Sequence, residues 1–247
     1  MVGESKIEWA EVSWNPVTGC TKVSAGCVHC YAERFSRRLA GMGQVRYRNG
    51  FKVTCHEDSV GLPFRWKKPR LVFVNSMSDL FHEDVPFEFL SRVFKTMNDC
   101  RRHQFQILTK RSGRLAELAG LLSWSPNIWM GVTVENQENI FRVADLVGVP
   151  AAIRFLSCEP LIGPIDDLPL DGIHWVIVGG ESGPEARSLE EEWIDAIRVK
   201  CERTGVAFFF KQWAGKDIFR KGNLLHGKVF QQYPNSPDEN ATGRVLL

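Results

Sequence analysis

Leu71-Val72-Phe73-Val74-Asn75-Ser76 is a short apolar run, β-branched and aromatic, that breaks into small polar residues. The same form recurs at Gln106-Ile107-Leu108-Thr109-Lys110, Ile128 to Val134, Ile153 to Ser157, Trp175 to Val178 and Val206 to Phe210. Runs that are apolar throughout, rather than alternating, belong to strands covered on both faces. Their spacing of about 20 to 35 residues leaves room for a crossover helix between parallel strands. Two earlier runs, near Glu11–Trp14 and Lys52–Cys55, are further strand candidates.

Helical periodicity fills the intervals. Phe87, Leu90, Val93, Phe94 and Met97 form one apolar stripe after Pro86. Leu189, Trp193, Ile197 and Cys201 form another, with Glu190, Glu191 and Glu192 in its first turn, where the helix dipole favours acids. Ile140, Val143, Ala144 and Val147 form a third. Strands alternating with helices predict an α/β fold: a full or partial (β/α) barrel of six to eight parallel strands, with an open doubly wound parallel sheet as the alternative. No linker divides residues 1–247, so one domain is expected, with a less regular tail from about residue 214. In either fold, function sits at the carboxyl ends of the strands.

Composition narrows the class. The 247 residues are 44% hydrophobic and 24% charged, close to globular averages, which argues against global disorder. A net charge of +2 neither demands nor forbids a nucleic-acid partner, because local patches matter more than the sum. No run approaches the length of a membrane span, and the opening MVGESKIEWAE has no apolar signal-peptide core. The expectation is a cytoplasmic protein. In that reducing compartment, seven Cys point to metal or catalysis rather than to disulfides.

The cysteines converge on one loop. Cys20, Cys27 and Cys30 are spaced C-x6-C-x2-C directly after the first strand candidate. The close pair presents two thiolates from one turn, and the loop between Gly19 and Gly26 brings back the third. A structural zinc site is normally closed by four protein ligands, and His29, Cys55 and His56 are candidates for the fourth. A [4Fe-4S] cluster on three Cys keeps one iron open for an exogenous ligand. Cys100 and Cys201 fall on helix faces as small hydrophobes, and Cys158 ends a strand.

Three such cysteines early in a (β/α) barrel resemble the radical S-adenosylmethionine enzymes. Those enzymes usually space them C-x3-C-x2-C with an aromatic residue before the last; here the first gap is six and His29 holds the aromatic position. The chain more closely resembles a phage- and bacterium-associated family of uncharacterised, radical-SAM-like proteins named after phage gene products. That resemblance rests on residues 14–24, 27–33, 75–81, 108–111, 131–136, 156–161, 179–183 and 210–213. It weakens after Trp213, where the usual closing motif stands only as Gly227-Lys228-Val229-Phe230. It implies an iron–sulfur cluster on Cys20, Cys27 and Cys30, S-adenosylmethionine at its open iron, an external electron donor, and a 5′-deoxyadenosyl radical that attacks a substrate at the barrel rim. Gly179-Gly180-Glu181-Ser182 resembles the Gly-Gly-Glu motif that contacts the methionine amine in those enzymes, although there it follows an earlier strand.

Other strand-end residues complete the candidate site. Asn75, Ser76 and Asp79 suit a cofactor or a helix cap. Lys110 and Arg111 suit a carboxylate or phosphate. Glu135, Glu159 and Lys211 are single charged groups in catalytic positions. Basic residues interleave with aromatics from Arg34 to Arg70, including Arg46, Arg48, Trp66, Lys67 and Lys68, a combination suited to the phosphates and bases of DNA or RNA. The function expected is an enzyme of radical type acting in nucleic-acid repair or modification. The rival is a non-enzymatic nucleic-acid-binding protein whose zinc or iron–sulfur site is structural. A metal-dependent hydrolase lacks its ligand set, since the six His are scattered along the chain.

Overall fold

The computed structural model describes residues 9–235, so the opening residues 1–8 and the end of the tail lie outside the described residues. Seven strands lie side by side in chain order and all run parallel: β1 (Val12–Trp14), β2 (Leu71–Val74), β3 (Gln104–Thr109), β4 (Ile128–Thr133), β5 (Ile153–Cys158), β6 (Trp175–Gly179) and β7 (Ala207–Gln212). A doubly wound sheet must reverse its strand order at a switch point, and this one never does. Among the described residues β1 and β7 do not pair, so the barrel is partial: a curled half-barrel sheet.

Trp9 shows how far the sheet curls. Its indole lies 4.6 Å from the Phe73 ring on β2 and 6.2 Å from Trp175 on β6, centroid to centroid. In a flat sheet, four strand spacings would put β2 and β6 about 19 Å apart. Only a concave face lets one ring touch both.

Alternation along each strand sorts the two faces. Val72, Val74, Phe105, Ile107, Met130, Val132, Leu156, Val176, Val178, Phe208 and Phe210 join the main core together with helix residues such as Leu90, Val93, Leu115 and Ile197. Phe73, Trp129, Ile153, Phe155, Trp175, Ile177 and Phe209 line the concave side around Trp9. The longer helices are α1 (Tyr31–Gly41), α2 (Phe87–Asp99), α3 (Ser112–Ala119), α4 (Phe141–Val147) and α5 (Glu191–Thr204). The apolar stripes of the sequence on α2 and α5 face the core, but on α4 Ala144 and Val147 are exposed and the buried face is Arg142, Val143 and Leu146. α2 buries Leu90, Val93, Phe94 and Met97, as its stripe requires.

One strand expectation is corrected. Glu11–Trp14 supplies β1, but of the Lys52–Cys55 run only Thr54–Cys55 is extended, and it stays outside the main sheet. It pairs antiparallel with Val17–Thr18 in a two-residue ladder that braces the cysteine loop. Beyond residue 214 the chain forms a short helix, Asp217–Lys221, and a small hairpin, then returns along β7. Phe210 N–H donates to Phe230 O at 2.7 Å and Gln232 N–H to Phe208 O at 3.0 Å, so the tail covers an edge that would otherwise be unpaired. No helix among the described residues is long and apolar enough to cross a membrane.

Candidate metal centre

The loop that carries Cys20, Cys27 and Cys30 lies over the carboxyl ends of the strands, and a different strand tip holds each of its parts. The first leg is fixed from β3. Arg111, buried, donates from Nη1 to Cys20 Sγ at 3.4 Å and from Nη2 to the Thr21 carbonyl and hydroxyl at 3.1 and 2.8 Å. Buried His82 adds a hydrogen bond between Nε2 and the Thr21 hydroxyl at 2.8 Å. The middle is fixed from β4: Ser24 donates to Glu135 Oε1 at 2.6 Å, and Gly26 packs against the same carboxylate. The last part is fixed from β2, where the Tyr31 hydroxyl donates to the Ser76 carbonyl at 2.5 Å. One turn on, Arg34 donates to the Ser182 carbonyl beyond β6 at 2.8 Å, so the first turns of α1 bridge the mouth of the half-barrel.

The seven cysteines divide accordingly. Cys100, Cys158 and Cys201 are buried, and complete burial lifts the Cys158 thiol well above its ordinary range. Cys20, Cys27 and Cys30 are free thiols at the half-buried boundary. Burial, with Asp79 close by, pushes Cys20 up to about 11 as a bare thiol against the pull of Arg111; a bound metal would reverse that balance. The three candidates for a fourth zinc ligand sit in different surroundings. His29 Nδ1 faces Glu185 at 3.4 Å, Cys55 sits in the small ladder, and His56 Nε2 is hydrogen-bonded to the Thr18 hydroxyl at 2.8 Å. Three cysteines on one loop suit an iron–sulfur cluster with one open iron, and a closed zinc site would have to recruit one of these three residues as its fourth ligand.

The remaining rim residues are drawn into ion pairs and hydrogen bonds. Lys211 Nζ lies 2.7 Å from Glu159 Oε1, and Ser157 donates to the other oxygen at 3.2 Å. Glu135 is fully buried between Arg142 at 3.1 Å, Lys110 at 3.5 Å and Ser24, so its role is to hold the loop. Asp79 accepts from Phe81 N, Thr109 Oγ1, Lys110 N and Arg111 Nη1, which leaves no lone pair for a cofactor. Asn75 adopts a left-handed φ of 63° and accepts from Val17 N, and its buried Nδ2 has no protein partner. Ser76 donates to Asn15 Oδ1.

The Gly-Gly-Glu segment is a packed, ion-paired turn. A Cβ on Gly180 would meet the Ala214 backbone at 2.5 Å, and one on Gly179 would meet Glu159 Oε1 at 3.1 Å. Burial works to raise the Glu181 carboxyl, but two side-chain bonds and one backbone bond from Arg187 outweigh it and hold the group below its ordinary range. Glu181 therefore already accepts three hydrogen bonds from Arg187. Ser182 gives its carbonyl to Arg34.

The basic segment is corrected more sharply. Trp66 is buried edge-on against His103 and offers no face to a base. Arg46 is bound to the Ser59 hydroxyl and the Asn15 carbonyl. Lys67 and Lys68 are exposed but precede β2, at the amino end of the sheet and away from the cysteine loop. Of the five residues proposed for nucleic acid, only Arg48 remains exposed on the loop's side. Arg111, Arg142, Arg187, Ser24 and Tyr31 were not given these roles by the sequence; the one available signal was a cation, Arg142, on the buried side of a helix.

Fold and loop together define a parallel α/β half-barrel with a loop of three cysteines over its mouth. The chain belongs to the family described as Protein of unknown function (DUF5131), whose model matches residues 4–234; it is under that description, not a phage gene-product name, that the family matches. No curated protein matches the sequence. Among solved structures it is similar to spore photoproduct lyase complexed with dinucleoside spore photoproduct, with a TM-score of 0.50 at 12% identity over 83% of this chain and 64% of that one. A mutant of the lyase with bound AdoMet and the same dinucleoside gives 0.48 at 11% over the same shares. The chain thus spans under two thirds of the lyase's length, and the likeness is one of fold.

Proposed function

We propose that the protein is an iron–sulfur enzyme of radical S-adenosylmethionine type that acts on nucleic acid. The observation that carries this is the cysteine loop: Cys20, Cys27 and Cys30 on one loop braced by three strand tips at the mouth of the half-barrel. Cys20, Cys27 and Cys30 would hold the cluster; with S-adenosylmethionine bound, such a centre supplies one-electron chemistry that generates a 5′-deoxyadenosyl radical. The chain's own part is to orient and to exclude water. Arg111, Glu135 and Tyr31 fix the loop, and α1 roofs the mouth. The Lys211–Glu159 pair, partly open to solvent, is the charged group best placed to meet a substrate.

Nucleic acid is supported by the surface around that mouth. Between Glu11 and Glu57 the sequence carries seven Lys and Arg against one acid, Glu33, so with a total of +2 the remainder is net acidic. Of the twelve exposed large hydrophobics among the described residues, six lie in this same stretch: Val23, Val28, Tyr31, Phe35, Met42 and Val45. Cations interleaved with exposed rings suit phosphates and unstacked bases. The interface is thereby assigned to Tyr31, Phe35, Arg37, Arg38 and Arg48.

Anaerobic reconstitution with iron and sulfide tests the centre. About four iron per chain is expected, with a broad visible band bleached by dithionite. Replacing Cys20, Cys27 or Cys30 with Ala should abolish the band, and Cys100→Ala should leave it. Stoichiometric zinc with no iron would favour a structural site in a non-enzymatic nucleic-acid-binding protein.

A further inference from the structure

The three thiols are not equivalent, and Arg111 is what separates them. Its five N–H groups are all spent: Nε on Glu83 at 2.9 Å, Nη1 on Cys20 Sγ at 3.4 Å and Asp79 Oδ2 at 3.2 Å, Nη2 on the Thr21 carbonyl and hydroxyl. So many partners leave the guanidinium no other orientation, and the side chain is 4% exposed. Cys20 therefore faces a fixed cation, itself paired with Asp79, whereas among the described residues the hydrogen-bond partner of Cys27 Sγ is the neutral Ser24 hydroxyl at 3.8 Å.

We infer that Arg111 is a positioning residue that sets the reduction potential of the three-cysteine centre through its hydrogen bond to Cys20. This rests on the iron–sulfur reading above. A charged donor on a ligating sulfur draws electron density from the cluster and eases its reduction. Removing Arg111 also leaves Asp79 and Glu83 uncompensated beside the centre, which acts in the same direction.

The test is a dithionite titration of the reconstituted full chain, followed by electron paramagnetic resonance, with iron counted in each variant. Arg111→Met should shift the midpoint potential to a more negative value. Arg111→Lys, which keeps the charge but loses the fork, should shift it less in the same direction. Thr21→Val loosens the same leg of the loop without removing the guanidinium and should leave the potential in place. Equal potentials in wild type and Arg111→Met would overturn the inference, as would a Thr21→Val shift as large as that of Arg111→Met. Folded Arg111→Met and Arg111→Lys proteins that both fail to take up iron would also overturn it, because Arg111 would then serve assembly rather than potential. Absence of a cluster from the wild type would remove the underlying reading as well, whereas a wild-type cluster with an unmoved Arg111→Met potential removes this inference alone.

Discussion

A Cβ on Gly26 would lie 2.5 Å from Glu135 Oε1, closer than any side chain tolerates, so the middle of the cysteine loop reaches its carboxylate only through glycine. Gly26→Ala should therefore cost about 1–3 kcal/mol of stability, the usual range for overpacking, and should lower iron uptake. Gly41→Ala, with nothing within 4 Å, should change neither. Thermal melts and iron content of the two variants decide the point. Glu135→Ala removes one partner of a fully buried pair and strands Arg142, 3% exposed, without its charge partner. A loss of about 3–5 kcal/mol is expected, read by denaturant titration. Were Glu135 a solvent-facing catalytic acid instead, the same change would spare stability. The cysteine triplet was legible from spacing alone. The carboxylate that holds it was not, because a lone Glu at a strand end reads the same whether it faces solvent or a buried arginine.

At the scale of elements, Trp66 and His56 show how context overrides composition. Trp66 sits among Arg65, Lys67 and Lys68 in sequence, yet its ring turns into the core behind β2. Trp66→Ala should destabilise by about 3–5 kcal/mol while leaving nucleic-acid affinity of the folded protein unchanged; a selective loss of single-strand binding would restore it to the interface. His56 ties the Thr54–Cys55 ladder to Thr18. Burial first, and Arg46 second, lower its pKa from 6.5 to about 4. Its folded pKa lies below its unfolded one, so the stability it contributes is present above about pH 6.5 and is lost as the pH falls toward 4. Melting temperatures at pH 7 and 5 should converge in His56→Gln relative to wild type; an unchanged gap would mean that other groups carry the acid sensitivity.

Over the whole molecule, the cationic, ring-bearing surface beside the mouth should make nucleic-acid binding strongly salt-dependent, with a slope of about 0.9 per neutralised phosphate on duplex DNA. Glutamate at Arg37, Arg38 and Arg48 together should weaken binding across all sequences and flatten that slope, while the reconstituted cluster keeps its spectrum. Fluorescence anisotropy between low and physiological salt measures both, and no binding at low salt would remove nucleic acid as the partner. The repeating apolar runs sufficed to specify parallel strands and helices in alternation, because burial on two faces imposes a composition that needs no knowledge of neighbours. The C-x6-C-x2-C loop likewise marked a candidate metal centre, because its three cysteines lie within one short stretch of chain. Which side chains brace that loop was decided only by tertiary structure. Arg111 meets Cys20 across 91 residues, Glu135 meets Ser24 across 111, and Arg34 meets Ser182 across 148. The same closure divided the basic segment, turning Trp66 inward and leaving Lys67 and Lys68 exposed at the far end, because consecutive residues point to different sides of the chain and only the packing around them decides which side is buried.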